Sequence, residues 1–171
     1  MKKELLIGCG SMRDKRLVCD DTREWANLTT LDCNPAHKPD MVWDLMHPDV
    51  LPLIWENEFD EIHAYEVLEH LGQQGDYKLF FNQFTAFHRA LKPNGHLCVT
   101  CPSRNSVWAL GDPSHTRVLQ KEMLMFLDQE SYSQVGTTSM SDFRGIYKAD
   151  FKTMYVLEDD EKFQFILKAI K

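Results

Sequence analysis

Gly8 and Gly10 close the apolar run Leu5-Leu6-Ile7, and Asp32 ends a second apolar run 22 residues after Gly10. Glycines at a strand's end let the backbone pass close beneath a ligand, and a carboxylate about 20 positions on can accept both hydroxyl hydrogens of a ribose. A third run, Met41-Val42-Trp43, ends in Asp44. Runs that finish in this order on glycine, aspartate and aspartate predict an enzyme that holds an adenosyl cofactor. Further along stands Glu66-Val67-Leu68-Glu69-His70. At 100° per residue, Glu66, Glu69 and His70 fall within an arc of about 100° on one helical face. Two carboxylates and an imidazole there could hold one hard divalent ion. The alternative is a helix end at which Glu69 and His70 only cap and hydrogen-bond.

These residues must be positioned by an alternation of strands and helices, the pattern of a mostly parallel sheet covered on both faces. Strands are predicted near 4–8, 28–32, 40–43, 60–65 and 96–101. A helix is predicted over 76–91, where Leu79, Phe80, Phe84, Phe87 and Leu91 recur every three or four residues before Pro93-Asn94-Gly95. A second helix is predicted near 119–129 from Met123, Leu124, Phe126 and Leu127. The segments 153–157 and 163–167 flank the acidic run 158–161, which predicts an antiparallel hairpin closing the sheet. Segments 102–118 and 130–150 lack periodicity and read as loops. The stretch 11–27 should hold the first crossover helix. Asp14, Lys15, Arg16, Asp20, Asp21, Thr22 and Arg23 leave it little apolar face, so that helix is expected to be short or absent.

Composition bounds the partners. The 171 residues are 43% hydrophobic and 26% charged, which describes one domain over 1–171 able to bury about two-thirds of its unfolded surface. The formal charge of -7, with no clustered Lys/Arg run, disfavours extended nucleic-acid binding and leaves a small molecule or a short polymer as the acceptor. Lys2 and Lys3 precede an apolar stretch that Gly8 interrupts after three positions, so no signal core or membrane span is expected and the chain reads as cytoplasmic. Cys9, Cys19, Cys33, Cys98 and Cys101 are expected as reduced thiols. Cys98 and Cys101 have metal-like spacing, but a strand sends residues three apart to opposite faces.

The Ile7-Gly8-Cys9-Gly10 turn, Asp32, Asp44-Leu45, and Phe59-Asp60-Glu61-Ile62-His63-Ala64-Tyr65-Glu66-Val67-Leu68-Glu69-His70 followed by Leu91-Lys92-Pro93-Asn94-Gly95 occur in a specific joint order. On these stations the chain resembles the class I S-adenosylmethionine-dependent methyltransferases, from Leu5 to the terminal hairpin. The resemblance implies a three-layer Rossmann-like α/β fold and S-adenosylmethionine as cofactor. It implies that Gly8, Cys9 and Gly10 lie under the methionine and ribose, and that Asp32 holds the ribose hydroxyls. Asp44 would accept from the adenine amino group, Leu45 would offer its N–H to the ring, and the Tyr65 carbonyl would meet the ammonium. The alternatives are N-cap aspartates at Asp32 and Asp44 and a core aromatic at Tyr65. Leu6 stands where an acidic residue often holds the cofactor's amino end, and Met12 replaces the usual third glycine.

Runs similar to Glu66-x-x-Glu69-His70 serve as metal ligands in the ubiquinone-pathway O-methyltransferases and the small-RNA terminal ribose methyltransferases. There a later loop histidine completes the site, a position that His115 would fill here. That resemblance implies Mg²⁺ or Mn²⁺ held by Glu66, Glu69, His70 and His115, with a hydroxyl as acceptor. His115 or His70 is the candidate catalytic base, since imidazole takes a proton near neutral pH. Trp108 and Arg117 flank His115 in the loop where acceptor contacts are expected. Two rivals stand beside this reading. One is a methyltransferase-like binding or assembly module without catalysis, and the other is a nicotinamide-dependent oxidoreductase, against which Arg13 stands in the third glycine position.

Overall fold

The computed structural model describes residues 1–19 and 22–171, so Asp20 and Asp21 of the polar 11–27 stretch lie outside the described residues. Seven strands form one sheet: β1 Glu4–Ile7, β2 Leu28–Asp32, β3 Met41–Val42, β4 Phe59–Tyr65, β5 Leu91–Pro102, β6 Asp150–Glu158 and β7 Lys162–Ile170. Their order is β3-β2-β1-β4-β5-β7-β6. The first five strands run parallel, and β7 inserts antiparallel between β5 and β6. Register aligns Ile7 with Leu31 and Ala64, Asp32 with Val42, and Tyr65 with Thr100. The carboxyl ends of β1 to β5 therefore reach one rim, and the chain order reverses about β1, where such sheets open a crevice.

Helix α1 spans Tyr77–Ala90. The Asp76 carboxylate accepts from the Leu79 N–H at 3.0 Å and so satisfies one of the free donors of the first turn. Its buried face carries Phe81, Phe84, Phe87 and Ala90. It packs onto one side of the sheet with Leu5, Ile7, Ile62, Leu97, Val99, Phe163, Phe165 and Leu167 in a single core. Burying a side chain such as Phe84 contributes about 2–3 kcal/mol.

The helix expected near 119–129 is instead a 3₁₀ segment, Lys121–Leu127, followed by a second over Gln129–Gln134. Leu124 and Leu127 are its buried residues, and their three-residue spacing suits the tighter turn. The loop 102–118 contains one further turn, α2 Trp108–Gly111.

The sheet's other side is covered without the first crossover helix, whose weakness the polar 11–27 stretch announced. Among the described residues, 11–27 contains no helix, and it crosses that side as an irregular strap. Beneath it lie Glu4, Glu61, His63 and Tyr65, all buried. Lys15 Nζ reaches Glu4 at 2.6 Å and Glu61 at 3.0 Å. His63 bridges Glu61 at 3.0 Å and the Tyr65 hydroxyl at 2.6 Å. That hydroxyl accepts from the Leu17 N–H at 3.2 Å, while Glu4 accepts from the Ala26 N–H at 2.7 Å. Polar side chains on alternate strand positions leave little apolar surface beyond Leu6, Cys98 and Ile166 for a helix to bury, and a hydrogen-bonded strap stands in its place. Cys98 lies on this side, with the Cys19 sulfur 3.4 Å from its own, and Cys101 lies in the opposite core. Among the described residues no helix is long and apolar enough to cross a membrane.

Candidate active site

Two glycines begin the site. Gly8 has φ +59°, and a Cβ there would meet Val67 Cγ2 at 2.4 Å, so only glycine lets the β1 end pass beneath the β4 end. Gly10 has φ +54°, and a Cβ there would enter open space. That space is a cleft of about 290 Å³ lined by Gly8, Gly10, Asp32, Asp44, Leu45 and, at its far end, Glu66 and His70. The two aspartates thus face one cleft over the glycine bend.

Asp32 is buried at the end of β2. Its carboxylate accepts from the Gly10 N–H at 2.9 Å and the Asn34 N–H at 2.8 Å, with His37 Nδ1 3.2 Å away. Burial pushes this carboxyl up, but the two N–H donors and the imidazole outweigh it and hold the group below the ordinary range. Asp32 is therefore an anion whose remaining lone pairs can accept hydroxyl hydrogens. Asp44 is exposed, and its Oδ1 accepts from the Met46 N–H at 2.8 Å. Arg13 donates to the carbonyls of His37 and Lys38 at 3.0 and 2.7 Å, fastening the loop after Gly10 across the cleft's edge.

The remaining sequence candidates divide. Cys9 is buried with Leu6 and Tyr65 on the strap side, and burial raises its thiol. The Tyr65 side chain points to that side too and takes part in the buried network, so any cofactor contact belongs to its backbone. Leu6 is buried there as well, and Met12 is exposed.

At the end of β4 the chain makes a sharp turn rather than the expected helical face. Glu66 has φ +56°, and only Leu68–His70 forms a helical turn, of the 3₁₀ kind. A left-handed glutamate is strained backbone, of the sort that clusters at functional sites. Glu66 is held by the Thr100 hydroxyl, which donates to its Oε1 at 2.8 Å. Glu69, His70 and His115 come together instead, with ligand atoms all within 4.8 Å of one another. The two imidazole rings lie 4.6 Å apart, edge to face. The loop carrying His115 is pinned on this turn by the N–H groups of Thr116 and Arg117, which donate to the Glu69 carbonyl at 3.0 and 3.3 Å.

Hydrogen bonds fix both imidazole tautomers. His115 Nδ1 lies 2.7 Å from the Trp108 carbonyl, so it carries the proton and leaves Nε2 with a lone pair. The Ser114 hydroxyl gives its one proton to Asp112 at 2.6 Å and must therefore accept from His70 Nδ1 at 3.1 Å. His70 Nε2 is then also a lone-pair donor. Glu69 is 2% exposed, and neither carboxyl oxygen has a hydrogen-bond partner. Burial, reinforced by the neighbouring Glu66, pushes it up to about 8. A buried acid without a geometric hydrogen-bond partner, beside two imidazoles, marks a candidate ligand position.

These groups border a second cavity of about 440 Å³, which shares Glu66 and His70 with the first and is also lined by Trp108, His115 and Lys162. Trp108 is 61% exposed at its mouth. Arg117 does not reach the cavity. It is buried, with Nε donating to the Leu68 carbonyl at 2.7 Å and its guanidinium to Gln83 at 2.7 Å. Sequence reasoning missed the supports Thr100, Asp112 and Ser114. Of these only Asp112-Pro113-Ser114 carries a local signal, that of an Asx turn.

No family model matches the sequence, and no curated protein matches it significantly. Solved structures do. A SAM-dependent methyltransferase from Archaeoglobus fulgidus aligns with TM-score 0.59 at 17% identity, over 98% of this chain and 86% of its own. The N-methyltransferase NodS from Bradyrhizobium japonicum, in complex with S-adenosyl-L-homocysteine, aligns with TM-score 0.58 at 15% identity, over 99% of this chain and 79% of its own. An S-adenosylmethionine-dependent methyltransferase from Mesorhizobium loti aligns with TM-score 0.56 at 12% identity, over 97% and 90%. What these proteins share with this chain is the fold.

Proposed function

Because the chain has the class I S-adenosylmethionine-dependent methyltransferase fold, we propose that it transfers a methyl group from S-adenosylmethionine to a hydroxyl of its acceptor. One observation carries the reading: Asp32 and Asp44 face a common cleft floored by Gly8 and Gly10, and that cleft meets the Glu69-His70-His115 cavity at Glu66 and His70. In this reading Asp32 binds the ribose hydroxyls, Asp44 and Leu45 bind the adenine, and the backbone of Gly8, Cys9, Gly10 and Tyr65 bounds the methionine end. The donor's sulfonium methyl is already activated, so rate comes mostly from holding the acceptor oxygen in line with it.

A neutral alcohol is a poor nucleophile, and His115 or His70 takes its proton through the free Nε2. A divalent ion fits the same residues. Glu69, His70 and His115 offer one carboxylate and two imidazoles, a set better suited to Mn²⁺ than to Mg²⁺, and the unpartnered Glu69 oxygens are what such an ion would use. Glu66, bonded to Thr100, stands outside that set. When bound, the ion would lower the pKa of the acceptor hydroxyl.

Calorimetric titration with S-adenosylmethionine tests the reading. Wild type binds, and Asp32→Ala binds about 10- to 100-fold more weakly, the loss expected for hydrogen bonds to a charged group. Absence of binding by wild type sinks the enzymatic reading and leaves a binding module. Manganese is tested separately by the electron paramagnetic resonance of Mn²⁺, which His115→Ala should return to the free-ion signal.

A further inference from the structure

Beside the acceptor cavity lies a third opening, of about 270 Å³, to which Arg16, Arg23 and Lys162 each contribute. It shares Arg16, Glu66 and Lys162 with the acceptor cavity, so the two form one continuous recess. The chain as a whole carries a formal charge of -7, and most of its lysines and arginines near carboxylates are paired. Here they are not. Among the described residues Arg23 and Lys162 make no side-chain ion pair. Arg16 comes only within 3.9 Å of Glu66 while its guanidinium lies over the Tyr65 ring, 5.4 Å from its centre. The fourth cation of the recess, Lys15, is neutralised by Glu4 and Glu61. The acids lining this opening are Asp14 and Glu66, the latter bonded to Thr100, while Glu69, Asp112 and Glu161 line the adjoining cavity. Within this opening, Arg16, Arg23 and Lys162 stand against two acids and leave a small local excess of positive charge in an acidic protein.

We infer that the acceptor is an anion, whose phosphate or carboxylate group is held by Arg16, Arg23 and Lys162 while its hydroxyl faces Glu69, His70 and His115. The word acceptor rests on the methyltransferase reading; the anion site does not. Two guanidinium forks and an ammonium suit an oxyanion, and charge-assisted hydrogen bonds are stronger than neutral ones. The arrangement also fixes the substrate's direction. An anionic group seated at Arg23 and Lys162 leaves only the rest of the molecule to extend past Glu66, the strained residue at which the recess meets the cofactor cleft.

Calorimetry at low salt with pyrophosphate, malonate and S-adenosylhomocysteine, each titrated separately, tests this. Wild type should bind pyrophosphate or malonate at a single site, the tighter of the two identifying a phosphate or a carboxylate acceptor. The double variant Arg23→Gln/Lys162→Gln should lose at least about 10-fold in that affinity and keep its S-adenosylhomocysteine affinity. Lys121→Gln/Lys168→Gln, outside the recess, controls for the loss of two positive charges and, like Lys121→Gln alone, should bind like wild type. No binding of either anion, undiminished binding by Arg23→Gln/Lys162→Gln, or an equal loss in either control overturns the inference. If the anion binds and S-adenosylhomocysteine does not, the methyltransferase reading fails and the anion site stands. The reverse result sinks the anion site alone. Arg23, Lys121 and Lys162 are exposed, Lys168 is half-buried, and a melting curve matching wild type checks that the variants fold.

Discussion

The two faces of the sheet are built on opposite principles. On one, Leu5, Ile7, Ile62, Val99, Phe163 and Phe165 meet the aromatic stripe of α1, and dispersion and burial hold the layers together. On the other, Glu4, Glu61, His63 and Tyr65 are buried under an irregular strap through Lys15, Leu17 and Ala26, with Trp25 edge-on to His63 at 4.9 Å. The apolar face tolerates any partner that fills its volume. The polar face accepts only a partner that matches each donor and acceptor, and so it specifies the strap's path. That strap carries Arg13, which bonds the His37-Lys38 loop at the edge of the Gly8-Asp32 cleft, and Arg16 and Arg23, which line the basic opening. A charged network thus does for the site's edge what helix packing does for its base.

The sharpest way to break this contrast is to damage each face once. Phe84→Ala removes a fully buried ring from the α1 side and should cost about 3–5 kcal/mol, read as a lower urea midpoint. Lys15→Met removes the buried cation of Glu4 and Glu61, leaves them only the partly exposed Lys2, and should cost about 2–3 kcal/mol. The faces differ in how they are rescued. Adding Glu4→Gln and Glu61→Gln to Lys15→Met should recover most of the loss, because the cost lies in unmatched charge, whereas no change of charge should rescue Phe84→Ala. If the triple variant is no better than Lys15→Met, the polar face is a packed core like the other.

A third, smaller effect lies at the rim where the faces meet. Glu69, pushed up to about 8, keeps its proton in the folded chain, while its unfolded counterpart loses it near the ordinary value. The folded state then holds more protons between those values, so stability falls as pH rises through that window. Glu69→Gln removes this dependence. It should melt higher than wild type at pH 8 by an amount worth about 1–3 kcal/mol, with little difference at pH 4, and should lose methyl transfer. An equal gain at both pH values would assign the effect to packing.

Much of this architecture was legible in the residues. Apolar runs ending in Gly8, Asp32 and Asp44 located three strands and one cleft, and the Phe84-Phe87 periodicity located α1. The polar face was legible only in part. Glu61, His63 and Tyr65 alternate with Ile62 and Ala64, a pattern that argues against helices on both sides, but strand alternation cannot say what covers the polar positions. The poverty of apolar residues in 11–27 signalled a missing helix, and it could not signal that Lys15 would be buried. The helical arc drawn through Glu66, Glu69 and His70 failed because Glu66 adopts a left-handed backbone, for which nothing in its residue type argues. His115 was found because the resemblance carried by Glu66-x-x-Glu69-His70 calls for a later loop histidine, while Arg117 turned inward to satisfy the Leu68 carbonyl, a tertiary demand that no local pattern carries.

The smallest predicted effect tests whether the faces open independently. Burial, more than the opposing pull of Glu61, lowers the pKa of His63, so the folded chain keeps this imidazole neutral. The unfolded chain protonates it near 6.5. Below that value the unfolded state binds more protons, and stability falls as pH drops until the folded pKa is reached. Glu61 has the usual depressed carboxylate, and its contribution stays complete until pH falls below about 4.5. Between pH 7 and pH 5, then, the strap's network should weaken through His63 by at most about 2 kcal/mol. Hydrogen exchange reads this locally. The Leu17 and Ala26 amides, which donate to Tyr65 and Glu4, should lose protection over that range once intrinsic rates are removed. The Phe84 and Phe87 amides of α1 should change less, and His63→Gln should abolish the strap's pH dependence. Should the α1 amides lose protection in step with the strap, the two faces unfold as one unit and the site's edge has no separate hinge in the polar network.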